Sequence, residues 1–357
     1  MTINIVGDLC LHGISQDGFS IQDELAREFA RTDLNVANLE SPLSSKDDAS
    51  QDSLVNLLGA PEYGPILKWF NVVSLANNHI LDHKEAGYRD TIAFLREHEV
   101  SFFGAGDDLD SSFKPLKLEK AGEKLAFIGT TRWGNAGRDK PGTAPVHLRR
   151  LFREIRLLKS DGYFVIIYPH WNYEYVDYPA PDYRNAAKKL LDAGADLVVA
   201  SHPHVVQGYE SYRGKMIFHS LGNFIFHQDV FTELSPMKND PRLRLSFVLQ
   251  VMISGQKMTG YSIIPVKSGS DSLRLLTGEE KEDFLRHLTR ISQDLSRPDV
   301  YPRAFYLDAL AISNQASRML KQLAKKKGLM SLLRALPRAN RQDLKIKLAS
   351  LRYGSER

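Results

Sequence analysis

The 357-residue sequence contains one cysteine, Cys10, and no apolar run of about 18 residues. A single thiol excludes an intramolecular disulfide framework, which fits a reducing compartment. The lack of a long apolar run argues against a membrane-spanning helix. The apolar start at residues 3–6 is too short for a signal peptide. We therefore expect a cytoplasmic protein.

Charge is unevenly distributed along the chain. Residues 315–357 carry a net charge of +10, which leaves −6 for the other residues of a chain whose total is +4. The main body therefore gives no reason to expect nucleic-acid binding. Within the basic tail, Leu329, Leu332, Leu333 and Leu336 have helical spacing. Such a helix could associate with the inner membrane surface or with a protein partner, or simply pack on the domain.

The order of predicted elements indicates an α/β fold. Strands alternate with helices as far as residue 200, and consecutive strands follow, which predicts mixed β-sheets flanked by helices. Residues 71–79 are predicted to form one of these strands followed by three polar residues. The pattern breaks near residues 268–272, so we predict a domain at 1–270 and a helical extension with a basic tail at 271–357.

Metal-capable side chains follow five predicted strands. They are Asp8, Glu40, the pair Asn78 and His79, His170, and the pair His202 and His204. Each has an ordinary alternative explanation as a cap, a turn residue or a hydrogen-bonded histidine. Together they indicate a site, because ligand crevices form at the carboxyl ends of strands in open α/β sheets. In an extended backbone, His202 and His204 would point to the same side.

The mixture of oxygen and imidazole groups suits Mn, Fe or Zn better than Ca or Mg. A carboxylate able to bridge, with imidazoles on one side, is typical of a two-metal centre with ions ~3.5–4 Å apart. The sequence contains no Walker-type loop, GxSxG elbow or CxxC pair that would indicate another centre. We therefore predict one or two divalent transition-metal ions.

Five motifs carry a family resemblance: VGDLCL, NLES, SLANNHILD, HWNYEY and the stretch from AGADLVVASHPH to HSLGNFIF. Together they resemble the poly-γ-glutamate capsule biosynthesis (CapA-type) family, a branch of the calcineurin-like metallophosphoesterase superfamily. The resemblance covers roughly residues 1–226. It implies a metallophosphoesterase-like fold, in which two sheets form a sandwich flanked by helices.

The resemblance also implies roles for single residues. The metal ligands would be Asp8, Glu40, Asn78, His170, His202 and His204. Glu40 would occupy the position of the bridging carboxylate. His79 would be the catalytic imidazole beside the leaving group, as a general acid or a charge stabiliser.

Further residues would contact substrate or support the ligands, namely Asn77, Trp171, Glu174 and Asn223. Trp171 could instead be a core residue, and Asn223 a turn residue. Arg132 and Trp133 would offer a cation and a ring to an anionic substrate. Cys10 stands where typical phosphoesterases have the histidine of Asp-x-His, so one ligand is missing; it could be a soft ligand or a small apolar packing residue.

Two functions follow from these residues. The first is a metal-dependent, phosphoesterase-like hydrolase in capsule, exopolymer or cell-envelope polymer biosynthesis, acting on an anionic polymer or a phosphoester. The alternative is a non-hydrolytic accessory component of a polymer synthesis complex, in which the metal site is vestigial. Metal content and activity on a generic phosphodiester would distinguish them.

Overall fold

Two β-sheets lie face to face, and helices cover their outer surfaces. The computed structural model describes residues 1–14, 19–50, 55–227, 240–270 and 272–327. Both sheets are mixed, since each combines parallel with antiparallel strands. The predicted α/β class with mixed sheets flanked by helices is confirmed.

Within the described residues the strands are β1 (Thr2–Leu9), β2 (Ser20–Ile21), β3 (Leu34–Leu39), β4 (Val72–Ser74), β5 (Ser101–Phe103), β6 (Ala105–Gly106), β7 (Leu116–Lys120), β8 (Glu123–Thr131), β9 (Gly142–Thr143), β10 (Phe164–His170), β11 (Leu197–Val199), β12 (Val206–Tyr212), β13 (Lys215–Leu221), β14 (Asn223–Ile225), β15 (Leu245–Ser254), β16 (Lys257–Ser268) and β17 (Ser272–Leu275). The α-helices are α1 (Asp23–Arg31), α2 (Lys84–Glu97), α3 (Leu109–Ser112), α4 (Leu148–Ser160), α5 (Pro181–Asp192), α6 (Gly278–Asp294) and α7 (Tyr301–Lys327), and 3-10 helices span Pro61–Trp69 and Pro241–Arg244.

The first sheet has the order β2-β17-β16-β15-β1-β3-β4-β5, with β14 beside β1, and the second has the order β12-β13-β11-β10-β8-β7. In the first sheet β1, β3, β4 and β5 are parallel, and in the second β8, β10, β11 and β13 are parallel. Each parallel set brings the carboxyl ends of its strands to one edge, which is where the predicted site residues follow the strands.

Strand β10 shows why its sequence is apolar throughout. Phe164 and Ile166 face the core between the sheets, whereas Val165 and Ile167 face the cluster under α4 and α5. Both faces are buried, so the strand reads as a continuous apolar run rather than an alternating one. Each fully buried side chain of this size contributes roughly 1.5–3 kcal/mol to the stability of the sandwich.

A tyrosine joins the two sheets directly beneath the predicted site. The hydroxyl of Tyr168 on β10 donates a hydrogen bond to the carbonyl oxygen of Val6 on β1, and the tyrosine is fully buried. Two residues further along the same strands stand His170 and Asp8. This bond therefore fixes the distance between the two strands that carry them.

One sequence-based expectation needs comment. The strand expected within residues 71–79, before the three polar residues, already ends at Ser74. It ends because the amide oxygen of Asn77 accepts hydrogen bonds from the backbone N–H groups of His79 and Ile80, which folds the chain into a turn.

The residues on both sides of the predicted boundary at 270 share one core. Strand β17 pairs with β16 and with β2, and α6 inserts Phe284 and Leu288 between the sheets. The division of the chain at this point stays a prediction. The basic tail beyond residue 327 lies outside the described residues. Of the helices that the structure describes, none has the length and apolar character needed to cross a membrane.

Candidate metal centre

The carboxyl ends of three strands bring Asp8, Glu40 and His170 together. One potential ligand atom from each lies within 4.8 Å of the other two. All three side chains are buried, with relative exposures of 1%, 0% and 0%. Because β1 and β3 belong to the first sheet and β10 to the second, this cluster forms only where the two sheets face each other.

Three atoms that could coordinate a metal ion lie close to the Nε2 atom of His170. It lies 2.8 Å from Asn78 Oδ1, 3.4 Å from Glu40 Oε1 and 3.2 Å from His202 Nδ1. The other ring nitrogen, Nδ1, lies 2.9 Å from the hydroxyl of Ser201. Two oxygens and two imidazole nitrogens directed at one point form a donor set typical of transition-metal sites.

The carboxylate of Glu40 tests whether a metal ion fits this point. Its Oε2 accepts a hydrogen bond from the Asn38 amide, whereas its Oε1 is buried and has no hydrogen-bond partner among the described residues. A buried carboxylate oxygen without a partner is costly. A divalent cation among Glu40 Oε1, Asn78 Oδ1 and His170 Nε2 would satisfy it, so the residues present fit the ion that the sequence predicts.

The charges of the cluster are poorly balanced. Burial, followed by the neighbouring Glu40 carboxylate, raises the pKa of Asp8 above its ordinary value. Burial also opposes ionisation of Glu40, but His170, His79 and His204 lower the pKa of that carboxyl. Burial and then the nearby His170 and His204 hold the pKa of His202 well below its usual range. The imidazole of His202 is therefore neutral, the form that binds metal ions.

The turn that carries His202 and His204 is not extended, so the geometric reason given for their convergence was wrong. Their φ angles are 101° and 60°, in the left-handed region that costs a non-glycine residue about 1–3 kcal/mol. The turn nevertheless directs both rings to the cluster, with centroids 5.8 Å apart. His204 Nδ1 lies 2.9 Å from Asn223 Oδ1, and the backbone N–H of His202 donates to Asp8 Oδ2 at 3.3 Å.

Close approach of two backbones places Asp8. Its N–H donates to the carbonyl oxygen of Gly222 at 3.1 Å, and a Cβ atom on Gly7 would lie 1.8 Å from that same oxygen. Only glycine fits at position 7 for this reason. The pairing of β1 with β14 then sets Asn223 opposite Asp8, which explains why Asn223 reaches His204.

His79 stands at the edge of the cluster with 13% of its side chain exposed. Its Nδ1 lies 2.6 Å from Asp82 Oδ2, and its Nε2 lies 4.0 Å from Glu40 Oε1. Burial alone would lower the pKa of His79, but Asp82, together with Glu40 and Glu174, raises it to about 9. The imidazole is therefore protonated at neutral pH. Sequence reasoning missed Asp82, whose signal is its i+3 spacing from His79.

Two asparagines shape the site through hydrogen bonds. The Asn77 amide donates to the carbonyl oxygen of Leu39 at 2.7 Å and holds the turn that presents Asn78 and His79. The Asn38 amide donates to Asp8 Oδ1 at 2.8 Å as well as to Glu40. Asn38 was not predicted; its signal is that it precedes Glu40 by two residues and so shares its face of the strand.

Trp171 is the one predicted site residue that the structure does not bring to the cluster. It follows His170 on the chain and points to the opposite face, where it is fully buried, with its ring 5.3 Å from that of Tyr183. The aromatic wall is supplied by Trp133, whose ring centroid lies 4.2 Å from His202 and 6.0 Å from His170.

Cys10 and Glu174 have opposite environments. The Cys10 side chain is fully buried in an apolar cluster with Leu57, Val205 and others, and burial raises the pKa of its thiol. The Glu174 side chain is 45% exposed, and its Oε1 lies 3.9 Å from His202 Nε2. The loop between His170 and Glu174 includes Asn172 at φ 81°, a left-handed conformation that asparagine tolerates better than most residues.

Comparison with known proteins gives one family match. The model described as "Bacterial capsule synthesis protein PGA_cap" matches residues 2–228. The chain is 32% identical over 208 residues to the PGA biosynthesis protein CapA of Bacillus subtilis, covering 56% of this chain and 55% of that protein. It is 24% identical over 294 residues to a probable polyglutamine synthesis accessory protein of Mycobacterium tuberculosis, covering 76% and 77%.

Among solved structures, a novel phosphatase of Mycoplasma pneumoniae aligns with a TM-score of 0.48 and 14% identity, covering 75% of this chain and 93% of that one. The chain spans about half the length of the Bacillus subtilis relative, since 55% of that protein is covered.

Proposed function

The chain belongs to the bacterial capsule synthesis protein PGA_cap family, and we propose that it is a metal-dependent, phosphoesterase-like hydrolase acting in the biosynthesis of a capsule or cell-envelope polymer. One observation carries the hydrolytic part of the proposal. Asn78 Oδ1 and Glu40 Oε1 both lie close to His170 Nε2. Glu40 Oε1 is buried and has no hydrogen-bond partner among the described residues.

Each predicted ligand has a defined task in this proposal. One or two divalent ions (Mn, Fe or Zn) would be held by Asp8, Glu40, Asn78, His170, His202 and His204, and would supply Lewis-acid polarisation of a substrate oxygen. Asp8 and Glu40 provide the negative charge that a cation requires. Asn223 fixes the ring of His204, and Ser201 fixes that of His170, so that the opposite ring nitrogens face the centre.

His79 is the proposed general acid. Its ring is protonated at neutral pH and lies at the edge of the centre, partly open to solvent. Asp82 orients the ring through Nδ1, which leaves the Nε2 proton free to pass to a departing oxygen. Proton transfer by a positioned side chain contributes typically about 10²–10⁴-fold to a rate.

The rim of the site favours an anionic substrate. The guanidinium of Arg132 lies 4.6 Å from the Trp133 ring centroid and donates a hydrogen bond to the carbonyl oxygen of Asn172. A cation and an aromatic ring beside His202 suit an anionic polymer or a phosphoester. The Bacillus subtilis relative is named as a PGA biosynthesis protein, and we propose an acidic polymer of that kind, or its precursor, as the substrate.

A non-hydrolytic accessory role is the second candidate. The observation that favours it is Cys10, which is buried among apolar side chains where typical phosphoesterases have a histidine. In addition, one relative is named as an accessory protein. In this role the fold and an incomplete metal site would bind polymer or support a synthesis complex.

The test measures metal binding and turnover on the full chain. Protein treated with chelator is titrated with Mn²⁺ and assayed on bis(p-nitrophenyl) phosphate, for wild type, His202→Ala and the exposed control His98→Ala. The hydrolase proposal predicts metal-dependent turnover that His202→Ala lowers by at least ~100-fold and His98→Ala leaves unchanged. Metal binding without turnover would favour the accessory role, and no metal binding contradicts the hydrolase.

We further propose that the basic segment 315–357, with its net charge of +10, associates with an anionic membrane surface. The test is co-sedimentation of the full chain with vesicles containing phosphatidylserine, compared with phosphatidylcholine vesicles. Binding that is equal for both vesicle types, or absent from both, contradicts this association.

A further inference from the structure

A second group of potential ligand atoms lies at the mouth of the site, beside the buried group of Asp8, Glu40 and His170. Donor atoms of Glu174, His202 and His204 lie within 4.8 Å of one another. The two histidines are buried, with exposures of 2% and 5%, whereas the glutamate is exposed. A carboxylate on the solvent side of two buried imidazoles leaves coordination positions open to water or substrate.

A direct hydrogen bond fixes Glu174 relative to the two histidines. The N–H of Tyr175 donates to the carbonyl oxygen of Pro203 at 2.8 Å, and Pro203 lies between His202 and His204 in the chain. Tyr175 itself has φ 66°, a strained conformation that this bond helps to hold. The two turns therefore move together, and the three side chains are preorganised.

Contacts from α7 hold the same loop further along the chain. The Asp308 carboxylate of α7 accepts the N–H of Asp177 at 2.7 Å, and the Tyr301 hydroxyl donates to the carbonyl oxygen of Pro179 at 2.7 Å. Before the glutamate, Arg132 donates to the carbonyl oxygen of Asn172 at 3.0 Å, so the loop is bonded on both sides of Glu174.

No lysine or arginine pairs with Glu174 in the part of the chain that the structure describes. Among these residues, the only ion-pair partner within 4.0 Å of its carboxylate is His202, at 3.9 Å. A carboxylate placed against an imidazole is a common arrangement of ligands around a metal ion.

Apolar packing holds the loop against the end of β1. Cys10, two residues after Asp8, is fully buried in an apolar cluster. Tyr175, the residue next to Glu174, belongs to the same cluster. The loop that bears Glu174 therefore packs against the segment that carries Asp8.

We propose that Glu174, His202 and His204 together bind a divalent transition-metal ion, with Glu174 as a direct ligand. This ion would be the second of a centre whose first ion is held by Asp8, Glu40 and His170. The inference rests on the proposed function in one respect, that the chain binds metal at all.

The experiment is calorimetric titration of the chelator-treated full chain with Mn²⁺. Wild type is compared with Glu174→Gln, which keeps the size and removes the charge, and with Glu174→Asp. The matched control is Glu282→Gln, at a glutamate 72% exposed on α6. Glu174→Gln is expected to weaken one of two binding events by at least ~100-fold, whereas Glu282→Gln binds as wild type does. Because Glu174 is exposed, the metal-free stability of the variant should equal that of wild type.

The outcomes separate this inference from the proposed function. Two wild-type events that Glu174→Gln leaves intact overturn the inference alone, as does a single event that it leaves intact. Lost turnover with unchanged Mn²⁺ affinity also overturns it, since Glu174 would then act on substrate. A wild-type chain that binds no Mn²⁺ overturns both.

Discussion

Two buried acidic clusters differ in what neutralises them. Glu210 on β12 accepts hydrogen bonds from Arg184 Nε and Nη2, both at 2.6 Å, and lies 3.1 Å from Lys188 Nζ and 3.0 Å from His219 Nε2. In the candidate metal centre, the nearest potential cations to Glu40 are the rings of His170 at 3.4 Å and His79 at 4.0 Å. In the part of the chain that the structure describes, no lysine or arginine forms an ion pair with Glu40.

The comparison distinguishes a carboxylate that the protein itself neutralises from carboxylates that need a bound ion. Burial alone would raise the pKa of Glu210, but Arg184 and His219 hold it well below its usual range, so this carboxylate is stabilised by the protein itself. The Asp8 and Glu40 carboxylates lie near each other instead, and Glu40 raises the pKa of Asp8. A fold that keeps such a cluster loses stability without its ion, which is common at functional sites.

The largest expected effect is on metal affinity. Glu40→Gln should weaken Mn²⁺ binding by at least ~100-fold, because loss of a ligand exceeds the 10–100-fold loss seen for groups that merely support ligands. Glu210→Gln should leave the affinity unchanged. Titration calorimetry on both variants checks this, and equal losses in the two would remove the distinction between the clusters.

Glu210→Gln should instead lower the free energy of unfolding, by about 3 kcal/mol at pH 7. The substitution leaves the guanidinium of Arg184, only 15% exposed, without its counter-charge. Arg184 also donates to the carbonyl oxygen of Leu295, so the loss would loosen the end of α6. Urea unfolding gives the value; a change below about 0.5 kcal/mol, as at ordinary surface positions, would show the cluster to be dispensable.

The contribution of Glu210 to the free energy of unfolding should depend on pH. The pKa of Glu210 is depressed in the folded state relative to its usual 4.5. Its stabilisation is therefore complete above pH 4.5 and is lost as the pH falls through the folded-state pKa. The stability difference between wild type and Glu210→Gln should be constant from pH 7 to about pH 5 and should narrow below it. Unfolding measured across this range would contradict the account if the difference widened on acidification.

Cys10→Ala should have the smallest effect. Removing a buried sulfur costs about 1 kcal/mol of stability through lost packing, and metal stoichiometry should not change because the thiol faces an apolar cluster. Metal analysis of the purified variant decides the point. Loss of a metal equivalent would make Cys10 a ligand.

Much of the site could be predicted because its residues directly follow apolar strands. Asp8, Glu40 and His170 each stand at the end of an apolar run that predicts a buried strand, and the carboxyl ends of parallel strands meet at one edge of the sheet. Asp82 and Asn38 were missed because their roles depend on the positions of their hydrogen-bond partners in the folded protein. Trp171 shows the same limit, because its ring turns away from His170 and packs against Tyr183. Trp133, which the sequence suggested as a ring for an anionic substrate, does lie beside His202.

The network around Glu210 could not be predicted from the sequence, for a different reason. Its members come from α5, β12 and β13, and nothing in their spacing brings Arg184 to Glu210. His219 is fully buried against Glu210, where it contributes to stability rather than to the metal centre.

The most direct test of a cation-binding centre is the free energy of unfolding of wild type and Asp8→Asn, each measured in chelator and in Mn²⁺. In chelator, Asp8→Asn should be at least as stable as wild type, because burial and the neighbouring Glu40 carboxylate disfavour the negative charge that the substitution removes. With Mn²⁺ at 100 times its Kd, wild type should gain about 2.7 kcal/mol and Asp8→Asn nothing, so that their order reverses. A variant that is less stable than wild type in chelator, and that gains as much from Mn²⁺, would contradict the assignment of this cluster as a metal site.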